Sequence, residues 1–300
     1  MSILKKSSRA LLIINPIAGK AKTEKKIEEI VYLLKKNIDV VTPLITSKKG
    51  DATEFVYEYA KNHDIVICCG GDGTLNEIIS GLMKIEYSIS IGFIPAGTTN
   101  DLANTLDIST DIRKSIRSII DGRPLYHDVG VINDSHYFSY IASFGAFTKV
   151  SYDTPQWLKN KFGHFAYVLD GIKSFNEIRP YKIKIKTEDF EEEGEFVFGS
   201  ISNSLYIGGV VKLNTSEVSL NDGKFEVLLI RNPHNPVELS GILYGISQKK
   251  YDRKYIIFLQ TSEIYLSFQE ETDWTCDGEH LRLGKEVYIK NSHNAIKLIL

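Results

Sequence analysis

Short apolar runs alternate with helix-like segments through the first 121 residues. The apolar runs lie at 10–15, 40–46, 64–69 and 89–95. Helices are predicted at 23–36, 51–61, 74–83, 99–106 and 111–121, where apolar residues recur at helical spacing or a helix start follows a strand. Buried strands separated by helices are typical of a mostly parallel sheet covered on both faces. The sequence therefore predicts an α/β, doubly wound N-terminal domain.

After Pro124 the pattern changes to alternating strands rich in aromatic residues. The runs at 181–190, 195–204, 224–232 and 286–300 are separated by turn residues, and only 153–178 resembles a helix. These runs predict an antiparallel β-sandwich as the C-terminal domain. We expect the first domain at 1–127 and the second at 128–294, with a last strand near 295–300 that returns to the first.

Composition excludes several classes of protein. The 36 Lys and Arg residues nearly balance the 38 Asp and Glu residues, so no global charge indicates a nucleic-acid partner. The three cysteines, at 68, 69 and 276, lack metal-ligand spacing, which argues against structural zinc and disulfides. No apolar stretch approaches the roughly 20 residues of a membrane span. We expect a cytoplasmic protein.

Three loops at predicted strand ends are rich in small and polar residues. They are NPIAGK (15–20), GGDGT (70–74) and PAGTTND (95–101). Ligands of open parallel sheets bind beyond the carboxyl ends of the strands, and glycines at a helix start let backbone N–H groups approach a phosphate. A carboxylate such as Asp72 would repel a polyphosphate unless a divalent cation or a hydroxyl proton lies between them. Magnesium is the natural mediator.

Each of these motifs also has a purely structural interpretation. Asp72 could merely cap a helix, and the NDG (221–223) and DGE (277–279) stretches are plausible turns. Neither a Walker A motif nor a GxGxxG fingerprint is present, so a P-loop ATPase and an NAD-binding dehydrogenase are both disfavoured.

The ordered motifs resemble the diacylglycerol kinase catalytic-domain family, and GTTND points to its bacterial soluble lipid-kinase branch, related to sphingosine and ceramide kinases. Besides the three loops, GDAT (50–53), YHDVG (126–130), YIGGV (206–210), SLNDG (219–223) and DGE (277–279) fit the family pattern. The family's Pro-x-Ala before the NDG turn is replaced at 214–217. The likeness spans nearly the whole chain.

The resemblance implies roles for individual residues. ATP would be cradled by Asn15, Pro16, Ile17, Ala18, Gly19, Thr46, Gly70, Gly71, Asp72, Gly73, Thr74, Leu75, Asn76 and Thr98 or Thr99. Asp101 and Asp128 would join Asp72 in an acidic network around the magnesium of ATP. A second magnesium would sit at Ser219, Asp222 and the backbone of Lys224. Glu279 would be the general base. Because Asp72 and Glu279 lie in different predicted domains, both domains would contribute to the reaction.

The function implied is an ATP- and magnesium-dependent lipid kinase that phosphorylates the primary hydroxyl of diacylglycerol, giving phosphatidic acid. Alternatives are a kinase for another lipid alcohol, such as a sphingosine-like one, an NAD kinase, or a non-enzymatic regulator that binds nucleotide or lipid. The lipid would be met at the inner face of the membrane through peripheral contact. The aromatic and basic segment 157–167 suits that contact or, equally, a core-facing helix. An exposed edge strand of the second domain could pair with a second copy of the chain, so a homodimer is possible.

Overall fold

The structure is a computed structural model that describes residues 7–18, 24–98, 100–145, 179–204, 206–207, 211–212 and 219–300. The chain forms two compact units. The first comprises Met1–Val129 and Ser292–Leu300, and the second comprises Gly130–Asn291.

The first unit is built on a parallel sheet. Its strands are β1 (Arg9–Ile14), β2 (Val40–Ile45), β3 (Ile65–Gly70) and β4 (Ser90–Pro95), in the order β2-β1-β3-β4. Its helices are α1 (Glu24–Lys35), α2 (Asp51–Tyr59), α3 (Asp72–Lys84), α4 (Asp101–Thr105) and α5 (Ile112–Asp121). Every residue of β3 is buried, as expected for a central strand covered on both faces. The prediction of an N-terminal parallel sheet with helices is confirmed.

Cys68 and Cys69 lie within β3, and Cys276 is also buried. All three are free thiols. Burial raises the pKa of the Cys69 thiol to about 12, so the thiol stays neutral and packs as a small apolar side chain. The expectation of structural, unpaired cysteines is confirmed.

The second unit is rich in antiparallel strands, as predicted. They are β5 (Pro124–Ile132), which begins in the first unit, β6 (His136–Phe138), β7 (Ile141–Gly145), β8 (Tyr181–Lys186), β9 (Glu191–Ser202), β10 (Tyr206–Ile207), β11 (Val211–Lys212), β12 (Phe225–Arg231), β13 (Ile256–Thr261), β14 (Glu263–Phe268), β15 (Thr272–Cys276), β16 (Glu279–Leu283) and β17 (Glu286–Ile299). Strands β16-β15-β7-β9-β8-β14-β17 follow one another in the sheet, and β12 joins β9 to β13. Phe144 and Trp274 pack together in its core, with ring centroids 4.9 Å apart.

Strand β17 serves both units. Residues Glu263 to Ser267 of β14 pair antiparallel with its first part, in the second unit. Its later residues Lys297 and Leu298 pair parallel with β4, in the first unit. The C-terminal strand thus adds a fifth strand to the parallel sheet.

One helix among the described residues was not predicted. Helix α6 (Pro236–Gln248) interrupts the strands of the second unit. The side chain of Asn235 accepts hydrogen bonds from the N–H groups of Val237 and Glu238, and Pro236 occupies the first turn. The signal was therefore in the sequence, because an Asn-Pro start before an apolar segment is a helix N-terminus. The helix expected at 153–178 lies outside the described residues.

Across the described parts of the chain, no helix is long and apolar enough to cross a membrane.

Candidate functional site

The loops that follow β1 and β3 are joined by side-chain hydrogen bonds. The side-chain Nδ2 of Asn15 donates to the Thr74 hydroxyl at 3.0 Å, and the side-chain Oδ1 of Asn15 accepts the N–H of Ile17 at 3.0 Å. The N–H of Asn15 also donates to the carbonyl of Cys69 at 2.9 Å. The Asn15–Ala18 stretch is therefore held against the start of α3, and its role in binding ATP stays a prediction.

The glycines allow two loops to touch backbone to backbone. A Cβ atom on Gly97 would lie 2.6 Å from the Cα of Gly71, and one on Gly70 would lie 2.8 Å from the Cβ of Thr74. Real Cβ atoms do not approach so closely. The structure shows that Gly71 and Gly97 make room for each other, whereas their predicted role of making room for phosphate oxygens stays a prediction.

Asp72 is the first residue of α3, but its side chain caps α4. Its Oδ2 accepts the N–H of Asp101 at 3.0 Å, and its Oδ1 accepts the N–H of Leu102 at 3.3 Å. The helix-capping interpretation is thus correct in part, although the capped helix is the next one. The same bonds bring Asp72 beside Asp101, so two of the predicted acidic residues are neighbours.

Thr46 is bound to the end of β1, and a side chain of α3 holds the loop that follows Thr46. The N–H and hydroxyl of Thr46 donate to the carbonyl of Ile14 at 2.9 and 3.3 Å. Glu77 then accepts the N–H groups of Gly50 at 2.9 Å and Ala52 at 3.2 Å. Glu77 belongs to the GGDGTLNE motif but received no role from the sequence. Its carboxylate holds the start of α2. The sequence signal for such a contact was Gly50, the glycine directly before the predicted helix.

Asp128 is fully buried and is bound to the C-terminal strand. Its Oδ1 accepts the N–H of Asn294 at 2.6 Å and lies 3.1 Å from Nδ1 of His293. Among the residues that the structure describes, no three His, Cys, Asp or Glu side chains are grouped to hold a metal. The three-member network of Asp72, Asp101 and Asp128 stays a prediction.

The other predicted nucleotide residues are distributed as follows. Pro16, Ile17 and Ala18 follow β1, Gly73, Leu75 and Asn76 lie in α3, and Thr98 follows β4. Asn76 accepts the Ser80 hydroxyl within α3 at 3.2 Å, and Leu75 is buried. Gly19 and Thr99 lie outside the described residues.

In the second unit, Glu279 begins β16 directly after a tight turn. Asp277 and Gly278 have φ values of 47° and 85°, as a type I′ turn requires. The Asp277 carboxylate is 4% exposed and accepts four hydrogen bonds of 2.6–3.0 Å, from the backbone N–H groups of Ser139, Tyr140 and Ile141 and from the Ser139 hydroxyl. Asp277 was not predicted to have a role. It fixes the hairpin that carries Glu279.

The NDG turn offers oxygen donors of the kind that magnesium binds. Oδ1 of Asp222 accepts the N–H of Lys224 at 3.0 Å, and the Ser219 hydroxyl donates to Oδ1 of Asn221 at 3.1 Å. Glu226 follows in β12, and one of its buried carboxyl oxygens has no hydrogen-bond partner. Carboxylate and hydroxyl oxygens with an unsatisfied acidic atom fit a hard divalent cation.

Comparisons with known proteins decide the family. The model of the diacylglycerol kinase catalytic domain matches residues 9–132. Diacylglycerol kinase of Bacillus subtilis is 30% identical over 276 residues, which cover 91% of this chain and 90% of the relative. That of Staphylococcus saprophyticus is 32% identical over 274 residues, which cover 91% and 89%. The chain belongs to the diacylglycerol kinase family.

A solved structure agrees with this family assignment. The crystal structure of a Bacillus anthracis protein assigned as a diacylglycerol kinase superposes with a TM-score of 0.80 at 26% identity, covering 98% of this chain and 96% of that one. The family likeness therefore extends over both compact units, and the diacylglycerol kinase domain matched by the family model ends at the start of the second. The resemblance found in the sequence motifs is confirmed.

Proposed function

We propose that the protein is a lipid kinase that transfers the γ-phosphate of ATP to the primary hydroxyl of diacylglycerol, with Mg²⁺, to give phosphatidic acid. The observation that carries this proposal is the joining of the loops after β1, β3 and β4, with Asp72 bonded to the start of α4. The named relatives are diacylglycerol kinases matched over nine-tenths of their length. They favour diacylglycerol over a sphingosine-like alcohol and over NAD.

In this proposal the first unit binds the nucleotide. Helix α3 has 13 residues, and its N-terminus presents backbone N–H groups and partial positive charge to the phosphates. The Asn15 loop and Thr46 would complete the cradle. Carboxylate oxygens of Asp72 and Asp101 would hold the Mg²⁺ of ATP, which neutralises phosphate charge when bound. A second Mg²⁺ would be held by Ser219, Asp222 and the backbone of Lys224.

In the second unit, Glu279 would accept the proton of the lipid hydroxyl. The hydroxyl oxygen then forms its bond to the γ-phosphorus, the bond to the bridging oxygen of ATP breaks, and ADP leaves. Asp277 contributes by holding the turn before Glu279 rigid. Peripheral contact with the inner membrane face belongs to the same proposal, because the acceptor resides in a bilayer. The segment 157–167 considered for that contact lies outside the described residues.

The deciding experiment incubates the purified protein with labelled ATP, Mg²⁺ and separate acceptors, followed by separation of the products. The acceptors are diacylglycerol vesicles, sphingosine, NAD and water. We expect label in phosphatidic acid. Label only in NADP would identify an NAD kinase, and label in a sphingosine product would replace the acceptor. Nucleotide binding without any labelled product would favour the non-enzymatic regulator.

A further inference from the structure

Glu226 is a buried acid on the face of β12 that points away from the apolar core. The alternate residues Phe225, Val227 and Leu229 belong to that core, whereas Glu226 lies between them in sequence and is itself 0% exposed. Its neighbours across the strands are polar: Ser202 of β9 on one side and Gln260 of β13 on the other. A carboxyl in this position is unusual because acidic residues are almost never fully buried without a partner.

Only half of this carboxyl is satisfied. Oε1 accepts the side-chain amide of Gln260 at 3.2 Å, while Oε2 has no hydrogen-bond partner. An ionised carboxylate that is buried without a compensating partner is strongly destabilising. Something that the protein chain does not supply is needed at Oε2: a proton, a water molecule or a cation.

The NDG turn is tied to β9, the strand that pairs with β12 at Glu226. The side-chain amide of Asn203 donates to the carbonyl of Leu220 at 3.1 Å, which fixes the turn to the end of β9. Ser202, the residue before Asn203, is the cross-strand partner of Glu226, and its hydroxyl donates to the Glu226 carbonyl at 3.4 Å. Burial raises the pKa of the Glu226 carboxyl, and the charge of Asp222 raises it further. The charges of Asp222 and Glu226 therefore act on each other, and a divalent cation bound by both carboxylates would relieve that repulsion.

We propose that Glu226 supplies a carboxylate oxygen to the divalent cation at the Ser219–Lys224 turn, as a fourth contributor beside Ser219, Asp222 and Lys224. This inference rests on the second Mg²⁺ of the proposed function. It assigns the cation two acidic side chains, which matches the preference of Mg²⁺ for one or two carboxylates and retained water. The same contact would relieve the unsatisfied charge in β12, so the cation would stabilise the fold of the second unit.

The test measures Mg²⁺ binding through protein stability, without nucleotide or lipid. Protein freed of metal with a chelator is titrated with MgCl₂ at constant ionic strength, and Tm is followed by fluorescence or circular dichroism. The wild type should show a saturable rise in Tm. Glu226→Gln should move the midpoint of that titration upward by 10-fold or more, and Asp222→Asn should do the same. Glu193→Gln, an exposed acid of β9 paired with Lys182, removes the same charge and should leave the midpoint unchanged.

Two further variants keep the test decisive. Asp72→Asn should retain the nucleotide-free titration, which shows that the effect does not arise at the ATP site. Glu226→Asp keeps the charge but shortens the side chain, and it should give an intermediate midpoint. A midpoint for Glu226→Gln within threefold of wild type would overturn the inference, as would a wild type without saturable Mg²⁺ stabilisation. In both cases a proton or water satisfies Oε2.

Failure of this inference and failure of the proposed function give different results. If the wild type makes phosphatidic acid and Glu226→Gln binds Mg²⁺ normally, only the role of Glu226 is wrong. If Glu226→Gln loses Mg²⁺ but the wild type phosphorylates no lipid, the cation site stands and the kinase assignment falls.

Discussion

The carboxylate of Asp277 accepts two hydrogen bonds from one residue, Ser139, whose N–H lies 2.6 Å and whose hydroxyl lies 2.8 Å from Oδ2. Two more N–H groups, of Tyr140 and Ile141, donate to Oδ1. A buried carboxylate with four donors is a rigid anchor. It fixes the position of a turn whose next residue, Glu279, is the proposed base.

We expect Asp277→Asn to lower the free energy of unfolding by about 2–3 kcal/mol, because an amide cannot accept four hydrogen bonds in place of a buried carboxylate. Turnover should fall as well, since the Glu279 hairpin loses its anchor. Denaturant unfolding and kcat measure the two effects. Asp273→Asn in the same hairpin is the control: its bonds to His280 and Arg282 are exposed, and its cost should stay below about 1 kcal/mol. Equal costs for the two variants would contradict the anchor role.

Glu279→Gln should preserve the fold and ATP binding but reduce kcat by about 10²–10⁴-fold, the usual contribution of a general base. Steady-state kinetics with diacylglycerol and ATP measure this loss, and Tm measures the fold. Glu193→Gln should behave as wild type. A Glu279→Gln rate within threefold of the wild-type rate would rule out the base assignment.

Gly97→Ala should destabilise the first unit by about 1–3 kcal/mol, because the new methyl group meets the backbone of Gly71 at 2.6 Å and neither loop can yield cheaply. ATP affinity should fall in parallel, since the displaced loop carries residues of the proposed cradle. Unfolding and nucleotide titration give the two readouts. Gly284→Ala is the matched control, as its added methyl group would meet nothing within 4 Å. A neutral Gly97→Ala would mean that the two loops are not packed as described.

Glu226 predicts how stability depends on pH in the absence of Mg²⁺. Burial raises its pKa in the folded state from 4.5 to about 7. The folded protein therefore holds this proton more tightly than the unfolded chain between pH 4.5 and about 7. Its contribution is greatest below pH 4.5 and is lost as the pH rises through 7.

The matching variant is Glu226→Gln, which cannot titrate. Relative to wild type, its unfolding free energy should increase with pH across this window, by on the order of 3 kcal/mol. Chelator-treated samples unfolded at pH 5, 6, 7 and 8 provide the measurement. A constant difference between variant and wild type would show that Glu226 does not titrate in this range.

Sequence reasoning succeeded where the determinants were local. The spacing of Ile27, Ile30 and Leu34 predicts a helix, found as α1, because a helical period is a property of neighbouring residues. The loops after β1, β3 and β4 were found because their composition is unusual. Resemblance to a family then gave their residues roles.

Features that depend on contacts between residues far apart in the chain were not predicted, and the start signal of one helix was overlooked. Asp277 meets Ser139 across 138 residues of sequence, and a DGE turn gives no sign of that pairing. Glu226 sits in an ordinary strand pattern, so its burial could not be foreseen without the register of β9 and β13. Helix α6 had a clear Asn-Pro start, but the surrounding strands dominated the interpretation of that region.

The late position of β17 in the sequence determines when the parallel sheet can be completed during synthesis. Its last residues pair with β4, yet the ribosome makes them only after every residue of the second unit. The parallel sheet of the nascent chain therefore has an unpaired edge at β4 throughout that interval, and such edges are prone to pairing with other chains. The parallel sheet of the first unit is therefore completed only after the second unit has been made.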